Sequence, residues 1–187
     1  LFPLLGVIIN GLAGIKLPRK LIGAIGSLAI LGSFITASLI FKDLIGQGVE
    51  RASEVVLFTW IGCGSIQVNV GFLVDPLSLV MMLTVSGVSF IIHLYSIGYM
   101  AEDEGFRRYF TYLNLFVFFM LILVSANSFL LMFVGWEGVG LCSYLLIGFW
   151  YQRTAPANAG KKAFVVNRVG DYGFILAMLL IFVTFKT

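Results

Sequence analysis

The chain alternates long apolar runs with short polar turns. Leu21–Phe41 carries no charge over 21 residues, and similar runs extend from Pro76 to about Met100, Tyr109 to Ala126, Phe129 to Tyr151 and Ala163 to Phe185. Each has a length suited to a helix crossing the ~30 Å hydrocarbon core. Leu1–Ile15 is apolar but too short to span alone, and reads as the remainder of a first helix. The pattern predicts an all-α integral membrane protein with about six transmembrane helices, part of a larger helix bundle. Small residues in the second run (Gly23, Ala24, Gly26, Ser27, Gly32, Ser33) suit close packing of neighbouring helices.

The longest polar interruption is Lys42 to Asp75. It begins with Asp43, Glu50, Arg51 and Glu54, then turns to VVLFTWIGCGSIQVNVGFLVD, two β-rich runs around Gly62-Cys-Gly-Ser65. This predicts an extramembrane β-hairpin (about 55–74) on the membrane surface between the second and third helices, with an irregular amphipathic loop as the alternative. Asp75 followed by Pro76 has the form of an N-cap and a first helical residue. The remaining connections are the basic turn Lys16–Lys20, ended by Pro18, then AEDEGFRR (101–108), the tight Ser125–Ser128 turn, and a loop from Gln152 to Lys162 containing Pro156.

Composition agrees: 60% of the 187 residues are hydrophobic and 11% charged, where a soluble domain carries about 25%. Alternating strands of an outer-membrane barrel are absent from the sequence, and a net charge of +3 is too small and dispersed for nucleic acid. Cys63 and Cys142 are poor disulfide partners, and no Cys/His spacing suits a metal or an iron–sulfur cluster. Neither a phosphate-binding glycine loop nor a nucleophile–base pair is present. Leu1–Ile15 lacks the basic leader and cleavage site of a signal peptide. Both ends look cut, so an N-terminal fragment of a longer protein is expected. Loops on one side hold Lys16, Arg19, Lys20, Arg107, Arg108, Arg153, Lys161 and Lys162, against Lys42, Arg51 and Lys186 on the other. The positive-inside rule then sets the first group on the cytoplasmic (or matrix) side and the N-terminus and hairpin outside.

Glu137 is the strongest candidate for chemistry. It lies roughly 12 Å into Phe129–Tyr151, where a carboxylate costs at least ~2.5 kcal/mol without a partner, water or a proton. Gly135, Gly138 and Gly140 around it allow close approach of a backbone or of water. Arg168 and Asp171 stand at i and i+3 on one face of the sixth run, either a self-neutralising structural pair or members of a buried polar path. Counted from the run's start at Ala163, Arg168 falls about 10–15 Å from Glu137 along the membrane normal. His93, the sole histidine, is either a core residue bonded to a backbone carbonyl or a proton relay, since its ordinary ionisation lies near neutrality. Lys161 and Lys162 read as interfacial anchors or the mouth of such a path. Asp75 reads as a cap rather than a proton site. Trp136, Trp150, Tyr144 and the phenylalanines read as lipid-facing, packing or interface residues.

Five ordered blocks resemble a known family. They are VDPLSL (Val74–Leu79), GVSFIIHLYSIGYM (Gly87–Met100), GFRRYFTYLNLF (Gly105–Phe116), MFVGWEGVGLCSYLLIGFWY (Met132–Tyr151) and KKAFVVNRVGDYGF (Lys161–Phe174). Together they resemble the large antiporter-like subunits of respiratory complex I (NADH–quinone oxidoreductase), nearest the distal, subunit 5 type. The likeness runs from about Phe72 to Phe174. It implies some fourteen or more helices with inverted five-helix repeats and a central polar axis for protons. Residues 1–108 would then be a three-helix lead-in carrying the hairpin, and 109–187 the first, truncated part of a repeat.

The resemblance also implies roles. Glu137 matches a fifth-helix glutamate that pairs with a seventh-helix lysine, Arg168 and Asp171 match charged sixth-helix positions, and His93 matches a third-helix histidine. It implies a proton-translocating, non-redox subunit with no cofactor of its own, NAD, FMN, iron–sulfur clusters and quinone belonging to other subunits. Expected partners are other membrane-arm subunits, the lipid bilayer and protons, with no nucleic acid, and the expected location is a bacterial cytoplasmic membrane. The alternative is the large subunit of an Mrp-type Na⁺/H⁺ antiporter or of a membrane-bound hydrogenase.

Overall fold

The structure, a computed structural model, describes residues 1–47, 52–63 and 66–185. Among the described residues, five helices are long and apolar enough to cross a membrane. These are α2 (Arg19–Gln47), α3 (Pro76–Tyr99), α4 (Phe106–Ser125), α5 (Phe129–Ile147) and α6 (Thr154–Phe185). The first apolar run is a shorter piece, α1 (Phe2–Ile8), which continues into a π-helical turn over Ile9–Ala13. Glu50, Arg51, Gly64, Ser65, Lys186 and Thr187 lie outside the described residues.

The polarity of the bundle is that of a chain dissolved in lipid. Large apolar side chains such as Leu28, Ile91, Val169 and Leu180 face outward, while Asn10, Ser86, His93 and Asn114 are fully buried. With no water in the hydrocarbon, polar groups turn to the protein interior rather than to the lipid. One apolar cluster, Ile22, Met100, Phe106, Phe110 and Phe149, ties α2, α3, α4 and the segment after α5 together at one end.

That end is also where the basic residues gather. Arg107 Nη1 donates to Gly11 O at 3.1 Å, Arg19 Nη1 to Ala101 O at 2.6 Å, and Arg108 Nη2 to Phe149 O at 3.0 Å. Each acceptor lies at or just past the C-terminal end of a helix, where carbonyls lack intrahelical partners and the helix dipole favours a cation. The arginines that carry the charge asymmetry therefore also close the helix ends.

The expected hairpin is present. β1 (Ser53–Cys63) pairs antiparallel with β2 (Ile66–Val74), from Ser53↔Val74 to Cys63↔Ile66, with register shifts at Leu57 and Trp60. It is fastened to the bundle at two points. Asp75 caps α3, its carboxylate accepting from Ser78 N at 2.7 Å while Asp75 N donates to Ser78 Oγ at 2.9 Å, a reciprocal capping box with Pro76 in the first turn. Asn127, in the α4–α5 turn, acts as a staple: its N–H donates to Gly71 O, its Oδ1 accepts from Gly71 N at 3.1 Å, and its Nδ2 donates to Glu54 Oε1 at 2.8 Å. Phe72 and Ala126 form a β-bridge beside it.

Helix boundaries differ from the sequence reading: α2 runs past Phe41 to Gln47, α5 ends at Ile147 rather than Tyr151, and α6 begins early. The loop expected over 152–162 is mostly helix, because α6 begins at Thr154. Pro156 falls in its first turn, where the missing N–H breaks no intrahelical bond. Lys161 and Lys162 are thus exposed residues within α6.

Candidate functional site

Helices α5 and α6 run antiparallel and pack on each other, joined by 148–153. Glu137 lies ten residues before the end of α5, about 15 Å along its axis, and Arg168 fourteen after the start of α6, about 21 Å along it. The remaining offset is within the reach of an arginine, and Arg168 Nη1 donates to Glu137 Oε2. The expectation of separate depths is therefore corrected. Starting the sixth helix at Ala163 omitted nine residues, and with them most of the rise that carries Arg168 up to Glu137.

Arg168 is shared. Its Nη1 also lies 3.6 Å from Asp171 Oδ2, one turn along α6. The other carboxylate oxygen of Asp171 accepts a hydrogen bond from Trp136 Nε1 at 2.7 Å. Trp136 stacks on Phe174 at 6.1 Å and 13°, and Phe133 stacks on the same ring at 5.6 Å. The guanidinium of Arg168 lies over the Phe164 ring at 4.7 Å. Asp171 is 6% exposed, while the side chains of Glu137 and Arg168 are 24% and 46% exposed. The site is thus two carboxylates around one guanidinium, fixed by an indole N–H and walled by aromatic rings.

The close approach of α4 and α5 is built from glycine. A Cβ on Gly135 would lie 2.7 Å from Leu123 N and 2.8 Å from Leu123 Cα, so α5 rests directly on the α4 backbone two residues before Glu137. Gly140, by contrast, has open space around it.

His93 is not part of this group. It lies on α3, which packs against α2 and α4, and is fully buried. Its Nδ1 is 2.7 Å from Ser89 O on its own helix, and its ring meets Phe110 edge-on at 6.0 Å. Asp75 is the cap described above. Trp136, assigned only packing or interface roles from the sequence, is the residue that reading missed. Its place in an apolar run gives no hint of a partner on α6; the signal available was an indole directly beside an intramembrane acid, which needs an acceptor where water is excluded.

Two family profiles match the chain. Residues 60–110 match "NADH-Ubiquinone oxidoreductase (complex I), chain 5 N-terminus", and residues 126–186 match "NADH:quinone oxidoreductase/Mrp antiporter, TM". NADH-quinone oxidoreductase subunit L of Mycobacterium tuberculosis is 52% identical over 164 residues, covering 87% of this chain and 26% of that protein. The subunit L proteins of Neisseria meningitidis and Rickettsia typhi are 44% and 43% identical over 99% and 98% of the chain, which covers 27% and 28% of their lengths. The chain belongs to the antiporter-like subunits of NADH–quinone oxidoreductase.

It spans about a quarter of the length of these relatives. Glu137, Arg168, Asp171 and Trp136 all fall within the segment matching the NADH:quinone oxidoreductase/Mrp antiporter profile, and His93 within the chain 5 N-terminal segment. The same fold is also seen in a solved chain from the membrane-bound sulfane sulfur reductase, an archaeal respiratory membrane complex. That chain superposes with a TM-score of 0.78 over 97% of this chain and 35% of its own length, at 17% identity.

Proposed function

We propose that this chain supplies a proton-carrying site to an NADH–quinone oxidoreductase, as a membrane subunit without a redox centre of its own. Residues 109–187 are then the first part of an antiporter-like repeat, and NAD, FMN, iron–sulfur clusters and quinone are held by other subunits. The observation that carries this reading is the sharing of Arg168 between Glu137 and Asp171. With all three ionised the group bears one net negative charge, and an uncompensated charge at this depth costs about 2.5–3.5 kcal/mol. One proton neutralises it.

The geometry supports a two-position switch. With Arg168 on Glu137, the glutamate is held as an anion. When the guanidinium moves fully onto Asp171, already 3.6 Å away, Glu137 loses its counter-charge and takes a proton on its carboxylate. Return of Arg168 displaces that proton. Trp136 keeps Asp171 in position throughout. The driving change arrives from elsewhere in the complex, through the other membrane-arm subunits, as a shift in packing or charge.

The basic-residue count supports a multi-pass orientation in a bacterial cytoplasmic membrane with the N-terminus outside. The Mrp antiporter in the matched profile's description favours one second reading, Na⁺/H⁺ exchange by a related assembly. The test is Glu137→Gln in the full-length protein within its assembled complex. Pumping is expected to fall sharply while the complex remains assembled. Full pumping would remove Glu137 from the proton route, and a dependence on Na⁺ would favour the second reading.

A further inference from the structure

The seam between α1, α2, α3 and α4 holds a second set of buried polar groups, remote from the Glu137 site. Gly23 of α2 faces Ile97 of α3 and Phe106 of α4, and Gly26 faces Phe110 and Asn114 of α4. Because α2 and α3 are antiparallel, four residues forward on α2 and four back on α3 bring Ser27 opposite His93. The edge contact of His93 with Phe110 puts α4 at the same level. Asn114 fits between two glycines: a Cβ on Gly6 would lie 2.6 Å from its Oδ1, and one on Gly26 would lie 2.8 Å from its Nδ2 and 3.5 Å from Asn10 Nδ2. Ser27, His93, Asn10 and Asn114 therefore line one continuous interior seam.

Each of these groups is short of a partner. Asn10 Nδ2 donates to Ile22 O at 3.2 Å and Asn114 Nδ2 to Phe110 O at 2.9 Å, which fixes both amides. Their Oδ1 atoms are buried without a hydrogen-bond partner among the described residues, as are His93 Nε2 and Ser27 Oγ. With Nδ1–H donated to Ser89 O, His93 Nε2 is an acceptor. Three acceptors and one hydroxyl thus stand without partners in one seam, beside the second N–H of each amide. The π-helical turn points the same way. Asn10 is its buried residue, while Ile9 and Leu12 beside it face out, and π-turns recur where a helix serves a site.

We propose that this seam is an internal water site, with water donating to Asn10 and Asn114 at one level and bridging Ser27 to His93 at the next. Water supplies two donors in the smallest volume and is the usual partner of buried polar groups left unpaired by protein. A metal cation fits the oxygens but not the charge, because none of the four side chains is acidic. The π-turn at Asn10 is then retained as the wall of this site.

X-ray radiolysis of the full-length protein in its complex tests this, since hydroxyl radicals form at bound water and label adjacent side chains. Phe110 and His93 should be oxidised several-fold more than Cys142 and Met100, which are equally buried and intrinsically more reactive. Labelling of Phe110 and His93 no higher than that of Cys142 would overturn the proposal, and this comparison needs no variant. Ser27→Ala with Asn114→Leu should abolish the excess in assembled complex. Excess labelling that survives there, or that depends on exchanging Na⁺ for choline, would equally overturn it, the latter in favour of a cation.

Discussion

Trp136 of α5 donates its indole N–H to Asp171 of α6 at 2.7 Å, and so leaves Asp171 a single free oxygen with which to compete for Arg168. On the proposed switch, the balance between Glu137 and Asp171 for one guanidinium would therefore be set by a residue that carries no charge.

Trp136→Phe tests that control. The ring can keep its stack on Phe174, but a hydrogen bond to a charged acceptor, typically worth about 1.5–3 kcal/mol, is lost. Arg168 should shift toward the freed Asp171. Protons pumped per quinone reduced should fall while assembly is retained; an unchanged ratio would dismiss Trp136 as packing.

Arg168→Ala leaves two carboxylates without their shared cation. It should destabilise the α5–α6 pair more than Arg168→Ala combined with Glu137→Gln. A double-mutant cycle in thermal denaturation should give a coupling of about 0.5–1 kcal/mol, the low end because the Arg168 side chain is 46% exposed.

Gly135→Ala and Gly140→Ala should differ in sign. The first drives a methyl group into the Leu123 backbone, and backbone cannot rotate aside, so a loss of about 1–3 kcal/mol is expected. The second meets open space and should gain up to about 1 kcal/mol from helix propensity. Unfolding temperatures of the two variants provide the comparison.

Acid should loosen the extramembrane ends before it touches the rest. The Ser78 hydroxyl and N–H hold the Asp75 carboxyl below its ordinary value of 3.8. Asp103 is held low by the Trp150 indole, with the Gly105 N–H and the charges of Arg108 and Arg19 adding to it. A depressed acid contributes its full stabilisation above the unfolded value and loses it as pH falls through the folded one. These two groups should therefore make stability flat from neutrality to about pH 4 and falling below it. Asp75→Ala should cost about 0.5–2 kcal/mol at neutral pH, the usual loss on removing a cap, and should flatten part of the acid limb in a pH series of melting curves.

Much of this arrangement is legible in the sequence, for local reasons. The hairpin follows from two β-rich runs, the start of α3 from Asp75-Pro76, and the membrane helices from apolar runs of spanning length. The four residues named in advance for chemistry are all found in the bundle, but only Glu137, Arg168 and Asp171 are brought together. The Glu137–Arg168 contact was hidden by one boundary: Pro156 and a polar stretch read as loop, although proline is at home in a helix's first turn. The Trp136–Asp171 bond and the buried seam around Asn10 depend on how helices rotate against each other. A uniformly apolar helix surface carries no periodic signal for that rotation, since lipid and protein interior are equally apolar.

The staple at Asn127 has a mechanical reading. Asn127 directly precedes Ser128, whose Oγ accepts from Leu131 N to cap α5, and it grips Gly71 and Glu54 of the hairpin in three directions. A helix in lipid can otherwise slide and turn with little resistance. Anchored this way, α5 has a fixed depth stop about three turns from Glu137. A displacement of the hairpin would therefore act on α5 at this stop, along the same helix whose middle turns carry the acid to its arginine.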